Sequence, residues 1–196
     1  LGPQHQQRLE LLVEQVLAMC GGYAQQLRTQ HALLRRFAAI AEQVNEVPGG
    51  PDRQNALQLQ LAKLRLPPAF GLPLDPRLML GGLQVESCKV MDSKKAPLFL
   101  VFKSVDQGSP SVPVLFKCGD DLRQDALVLQ LLSLMDCMWR SDGLDLHMTL
   151  YRVVPTGDEQ GLIGIVQGAT TTSNITKAAG GAKAAQSSGT WARRKT

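Results

Sequence analysis

Lys117 is the charged residue whose setting asks for an explanation. It ends the apolar run Val112-Pro113-Val114-Leu115-Phe116 on the face opposite Phe116, and a phosphate or carboxylate partner is what justifies holding an ammonium over a cleft instead of letting it reach solvent. Three carboxylates follow, Asp120, Asp121 and Asp125. The last two are four apart at the start of a helix, where capping and dipole compensation are their plainer use. A second constellation is Met91-Asp92-Ser93-Lys94-Lys95, a tight polar connection between two strands. Its amides, hydroxyl and ammonium groups suit phosphates, although it lacks the Gly-x-x-x-x-Gly-Lys-[Ser/Thr] of a P-loop and by pattern alone is a solvated turn. Cys20, Cys88, Cys118 and Cys137 are too widely spaced, and His5, His31 and His147 too scattered, for a metal site or a disulfide framework. Free thiols, mostly buried and in a reducing compartment, are expected.

The elements that must position these groups change character along the chain. Leu9, Leu12, Val13, Val16, Leu17 and Cys20 recur on one helical face until Gly21-Gly22. Leu27, Leu34, Phe37, Ile40, Ala41 and Val44 mark a second helix ended by Pro48-Gly49-Gly50-Pro51, and Leu57, Leu61 and Leu64 a third closed by Pro67-Pro68. All three are expected to pack into the core. From about Leu83 the period becomes two, which predicts strands over Gln84–Met91, Leu98–Lys103, Val112–Cys118, His147–Val154 and Leu162–Gln167, joined by short turns into an antiparallel sheet. One long helix interrupts them, with Asp121 and Gln124 as a capping box and apolar residues from Leu122 to Trp139 that predict cover on more than one side. The fold class is therefore α+β. Beyond Thr172 the Ser, Gly, Ala and Lys composition predicts a disordered end.

Composition bounds the function. With 196 residues and 44% hydrophobic content the chain can bury a core, and its apolar runs fall far short of the roughly 20 residues of a membrane span. Leu1 to Arg8 leads into an amphipathic pattern, not a secretory signal. The net charge of +4 is concentrated after residue 172; the first 172 residues hold 16 basic and 17 acidic groups, so no nucleic-acid partner is expected.

The ten residues Phe116-Lys117-Cys118-Gly119-Asp120-Asp121-Leu122-Arg123-Gln124-Asp125 closely resemble a signature of the phosphoinositide 3-kinase catalytic domain. Glu86 to Leu98, Gly143-Leu144-Asp145-Leu146 and Pro155-Thr156-Gly157-Asp158 resemble the same family in the same order, and Leu74-Asp75-Pro76 with Cys88-Lys89-Val90-Met91 points to its class I gamma branch. The resemblance is read over residues 4 to 172. It implies the end of a helical domain in residues 1–47, a connecting helix and linker in 48–83, a protein-kinase-like amino-terminal lobe in 84–172, and a divergent tail in 173–196.

The same resemblance implies the chemistry: transfer of the ATP γ-phosphate, with Mg, to the 3-hydroxyl of phosphatidylinositol 4,5-bisphosphate in receptor signalling. Lys117 corresponds to the lysine on the ATP phosphates, and Met91, Ser93, Lys94 and Lys95 to the phosphate-facing loop, with Ser93 as hydroxyl donor. Leu115, Asp125, Tyr151 and Ile163 correspond to the inner pocket, and Gly164, Ile165 and Val166 to the hinge whose backbone meets adenine. Phe99 stands where a tryptophan is usual, and Gly164 where a glutamate is usual. The Asp-Arg-His and Asp-Phe-Gly motifs of the carboxy-terminal lobe do not occur in the sequence. That lobe is read as absent, no catalytic base or metal ligand is assigned, and the chain alone is expected to be inactive. Implied partners are the lipid, a regulatory subunit, G protein beta-gamma and Ras, with a cytoplasmic location and recruitment to the plasma membrane. The alternatives are a non-catalytic interaction fragment, a non-functional splicing or gene-model product, and an unrelated α+β binding module.

Overall fold

The computed structural model describes residues 2–170 and 172–178. A first compact unit runs to Ile165 and a second begins at Val166; each is described by itself.

Three helices open the first unit: α1 (Pro3–Met19), α2 (Tyr23–Glu46) and α3 (Pro51–Lys63). They precede an antiparallel sheet of β1 (Phe70–Leu72), β2 (Asp75–Leu83), β3 (Lys89–Val90), β4 (Leu98–Ser104), β5 (Val112–Cys118), β6 (Val153–Gly157) and β7 (Gln160–Gly164), with α4 (Arg123–Ser141) inserted after β5. The strand order is β1-β2-β4-β5-β7-β6, and β3 adds to β4. This mixture of helix and antiparallel sheet is the α+β class that the sequence predicts.

α2 is the helix that meets the sheet. Leu33, Leu34, Phe37, Ile40, Ala41 and Val44 all turn inward at helical spacing. Phe37, with no exposed surface, packs edge-on to Phe102 of β4 and against Phe116 of β5, with centroids 6.1 and 6.0 Å apart. Burying one such ring contributes about 1.5–3 kcal/mol. α3 adds Leu57 and Leu61 to the same core.

Several expectations are corrected. The stripe on α1 is real, but no residue of that helix is buried. α4 likewise buries nothing: Leu127, Leu131, Leu134 and Met138 stay 53–58% exposed, so it is not covered on several sides. Periodicity shows that a face can be covered and says nothing about whether this unit covers it. The capping box does not form, because the Asp121 carboxylate is taken by the Arg123 N–H and guanidinium and the helix begins after Leu122 without a side-chain cap.

Residues 48–83 are more than a helix and linker, since β1 and β2 lie within them. Pro76 and Gly81-Gly82 disguise β2, and a Pro near a strand start is tolerated where no ladder bond is lost. Gln84–Met91 breaks into a 3-10 turn at Val85–Ser87 and the short β3. His147 takes φ +51°, so residues 147–152 are irregular and β6 starts at Val153. β7 is shifted toward the chain start and ends at Gly164, before Gln167.

In the second unit Thr172–Ala178 form a helix, α5, where the composition predicts disorder. The remainder of that expected tail, 179–196, lies outside the described residues. Among the described residues, no helix is long and apolar enough to cross a membrane.

Candidate functional site

β5 sets the geometry. Side chains alternate along it, so Val114 and Phe116 enter the core while Leu115 and Lys117 face the other way. Cross-strand register extends that second face: Leu115 lies between Phe99 of β4 and Ile163 of β7, and Ile163 faces Val153 of β6. The outcome is a half-buried apolar row four strands wide. The Lys89 ammonium sits 5.0 Å above the Phe99 ring, so one edge of the row carries a positive charge.

One step along β5, Lys117 is paired with Gly161. A Cβ at Gly161 would stand 2.5 Å from the Val154 carbonyl oxygen and 2.7 Å from Leu122 Cδ1, so no side chain fits there. Beyond Lys117 the chain turns through Gly119, at φ +86°, and brings Asp120 back to 3.2 Å from Lys117 Nζ. The N–H groups of Gly119 and Asp120 both donate to the Glu159 carbonyl, at 2.7 and 3.0 Å, which ties this turn to the β6–β7 connection.

The loop after β3 is folded by its own backbone. The Met91 N–H donates to the Pro97 carbonyl (2.9 Å), Ser93 N–H to Met91 (2.9 Å) and Ala96 N–H to Ser93 (3.0 Å), leaving Asp92, Ser93, Lys94 and Lys95 exposed around a buried Ala96. Lys95 leans on the end of β5: a Cβ on Gly119 would lie 3.3 Å from its Nζ. Lys95 and Lys117, from different elements, both reach the end of β5: Lys117 from the face opposite Phe116, and Lys95 beside Gly119 and the Cys118 thiol, with the Ser93 hydroxyl on the loop that carries Lys95. That donor set is cationic and hydrogen-bonding, which fits a polyphosphate.

The four residues expected at an inner pocket divide into two pairs. Leu115 and Ile163 share the apolar row, whereas Asp125 and Tyr151 line a cavity of about 320 Å³ with Gln124, Val128, Leu132 and Met148 of α4 and the segment before β6. At the expected hinge, the Gly164 N–H is already donated to the Arg152 carbonyl at 2.8 Å, so a base must find its donor elsewhere. Ile165 is half-buried, and Val166 belongs to the second unit.

Arg152 has no motif to announce it. Its guanidinium donates to the Leu74 carbonyl (3.1 Å) and pairs with Asp75 (3.0 Å), which also takes a bidentate grip from Arg77. Hydrogen bonds from Arg77, then the Arg152 charge, hold the Asp75 carboxyl well below the usual carboxylate range. Burial pushes the Cys118 thiol, beside Lys117, upward. Among the described residues no three His, Cys, Asp or Glu side chains gather where a metal ion could be held.

Residues 111–192 match the family described as phosphatidylinositol 3- and 4-kinase. The chain is also 42% identical over 179 residues to phosphatidylinositol 3-kinase 2 of Dictyostelium discoideum, covering 91% of this chain and 10% of that protein. These matches support a member of the phosphatidylinositol 3-kinase family. Phosphatidylinositol 3-kinase 1 of the same organism is 37% identical over 178 residues, 91% of this chain and 11% of that one. The human phosphatidylinositol 4-phosphate 3-kinase C2 domain-containing subunit beta is 34% identical over 173 residues, 86% of this chain and 10% of that one.

The chain spans about a tenth of the length of the curated relatives it matches. The match to the kinase family runs past residue 172, the limit of the motif resemblance in the sequence. Ala, Gly and Ser carry too little periodic signal for a single sequence to reveal that continuation. Lys117, the loop 91–95 and their flanking strands divide at residue 111: β5 onward lies in the matched span and the loop before it.

Proposed function

We propose that the first unit supplies the amino-terminal wall of an ATP site in a phosphoinositide 3-kinase. The observation that carries this is the approach of Lys95 and Lys117 to one end of β5, beside an apolar row wide enough for a planar base. In this reading Lys117 and the Met91–Lys95 loop neutralise the phosphates, with the Ser93 hydroxyl donating to one of them. Phe99, Leu115 and Ile163 cover a face of the adenine, Asp125 and Tyr151 bound the inner cavity, and the backbone of Gly164 and Ile165 offers hydrogen bonds. ATP, when bound, supplies the γ-phosphoryl group; the chain's residues bind and orient it.

The acceptor we propose is the 3-hydroxyl of phosphatidylinositol 4,5-bisphosphate, in a class I, gamma-like enzyme of receptor signalling that is cytoplasmic and recruited to the plasma membrane. Residues 1–47 are then the end of a helical domain, and regulatory subunit, G protein beta-gamma and Ras are partners of the whole protein. The support is the resemblance of Leu74-Asp75-Pro76 and Cys88-Lys89-Val90-Met91. Phosphatidylinositol 4-phosphate is the second acceptor to consider, because a human relative at 34% identity is named for it. Lacking the Asp-Arg-His and Asp-Phe-Gly motifs, the 196-residue chain alone is inactive in this reading.

The test is phosphate transfer by the full-length protein to vesicles containing phosphatidylinositol, its 4-phosphate or its 4,5-bisphosphate, with product position determined. Transfer to the 3-hydroxyl that Lys117→Ala abolishes supports the reading. Transfer unaffected by Lys117→Ala sinks the assignment of the phosphate site, and preference for the 4-phosphate sinks the gamma-like acceptor.

A further inference from the structure

The phosphate-facing loop hangs from β3, which is two residues long and pairs with β4 on one side only. On the other side its exposed main-chain groups are taken by a side chain. The Gln54 amide of α3 donates to the Cys88 carbonyl at 2.8 Å and accepts from the Val90 N–H at 3.0 Å. These two groups flank Lys89 and point away from β4, so one glutamine occupies the place of a neighbouring strand. The adjacent Arg53 anchors the same helical turn by donating to the Val47 carbonyl at 2.9 and 3.2 Å, at the end of α2.

Packing holds the strand but not the loop: Cys88 and Val90 join the core with Leu57 and Leu61 of α3, and the exposed loop follows them. A cavity of about 290 Å³ lies between the start of α3 and the loop, lined by Gly49, Gly50, Arg53, Gln54 and Val90 through Ser93. With space beside the loop, the two Gln54 bonds are a hydrogen-bonded tie from α3 to the edge of the strand that carries Met91, Ser93, Lys94 and Lys95. A half-buried backbone donor left unpaired makes the edge prefer to open to water.

We propose that Gln54 is a positioning residue for nucleotide: it fixes the height of the Met91–Lys95 loop over the phosphates without touching them. This rests on the loop's assignment above. The comparison is between the full-length protein and its Gln54→Met variant, which keeps the side chain's length and loses both bonds. Amide hydrogen exchange without nucleotide reports the loop, and steady-state kinetics report its use.

Exchange of residues 90–96 should quicken at least tenfold while 98–104 and 112–118 stay protected. KM for ATP should rise about five- to tenfold, with KM for lipid unchanged. Gln54→Glu, which retains an acceptor for the Val90 N–H, should fall between wild type and Gln54→Met in Val90 protection, and it serves if the methionine variant does not fold. Unchanged exchange at 90–96 overturns the proposal whatever the kinetics. Quickened exchange with an unchanged KM for ATP, while Lys117→Ala still abolishes nucleotide binding, overturns the positioning role and leaves the site's reading intact. If neither Gln54→Met nor Lys117→Ala alters nucleotide binding, the site's assignment and this proposal fall together.

Discussion

Lys117 and Asp120 form a 3.2 Å ion pair across the glycine turn that ends β5, so the lysine meets a carboxylate of its own chain before any phosphate. Both side chains are about a third exposed, at 28% and 36%, which puts the pair in the class worth about 0.2–1 kcal/mol. Asp120→Asn should therefore scarcely change thermal stability and should tighten ATP binding to the full-length protein by up to about fivefold, measured by calorimetry. Weaker binding would show that Asp120 orients the lysine and does not compete for it.

Phe37 joins α2 to two strands at once, through Phe102 of β4 and Phe116 of β5. Phe37→Ala leaves a cavity against Phe102 and Phe116 and should cost about 3–5 kcal/mol, a large share of the 5–15 kcal/mol that typically stabilises a domain. Denaturant unfolding of the first unit's signal should shift accordingly; a loss under about 1 kcal/mol would mean that α2 is not seated on the sheet.

Gly161 and Gly49 make a matched pair of substitutions. Gly161→Ala drives a methyl into the Val154 carbonyl and Leu122, and overpacking of that kind costs about 1–3 kcal/mol or more. Nothing lies within 4 Å of a Cβ at Gly49, so Gly49→Ala should be close to neutral. Melting curves of the two variants should separate by several degrees.

Asp75 gives the fold an acid-sensitive clasp. Its carboxyl is held below its ordinary value of 3.8, first by the Arg77 hydrogen bonds and then by the Arg152 charge. A carboxylate with a depressed folded pKa stabilises above its unfolded pKa and loses that contribution as pH falls through the folded value. The stability gap between wild type and Asp75→Asn should thus be constant from pH 7 to about pH 5 and close progressively below about pH 4. A gap that widens on acidification would contradict the clasp. Asp121, brought to about 2 by the hydrogen bonds of exposed Arg123, should follow the same sign, with salt weakening it.

Thiol reactivity should rank by burial. Cys88 is 1% exposed, its thiol is pushed up by burial, and it donates to the Gln84 carbonyl, whereas Cys137 is exposed. Iodoacetamide should label Cys137 in the folded protein and Cys88 only on unfolding, as read by mass spectrometry; early labelling of Cys88 would place β3 in an open state.

Local pattern alone settled the parts of this protein whose order is written in adjacent residues. The apolar stripe of α2, the alternation of β4 and β5 and the opposite facing of Phe116 and Lys117 follow from the periods 3.6 and 2, which are properties of the backbone. The ten-residue run from Phe116 to Asp125 carried the family resemblance for the same reason. Tertiary structure decided whatever depends on partners distant in sequence. Strand register split the expected inner pocket into Leu115 with Ile163 and Asp125 with Tyr151. A main-chain bond from Gly164 to Arg152 used one donor of the expected hinge, and residues 34 and 36 positions away gave Gln54 its two bonds. The stripes on α1 and α4 were equally legible and remained uncovered. A hydrophobic period states which face of a helix can be buried, and only the folded chain supplies the surface that buries it.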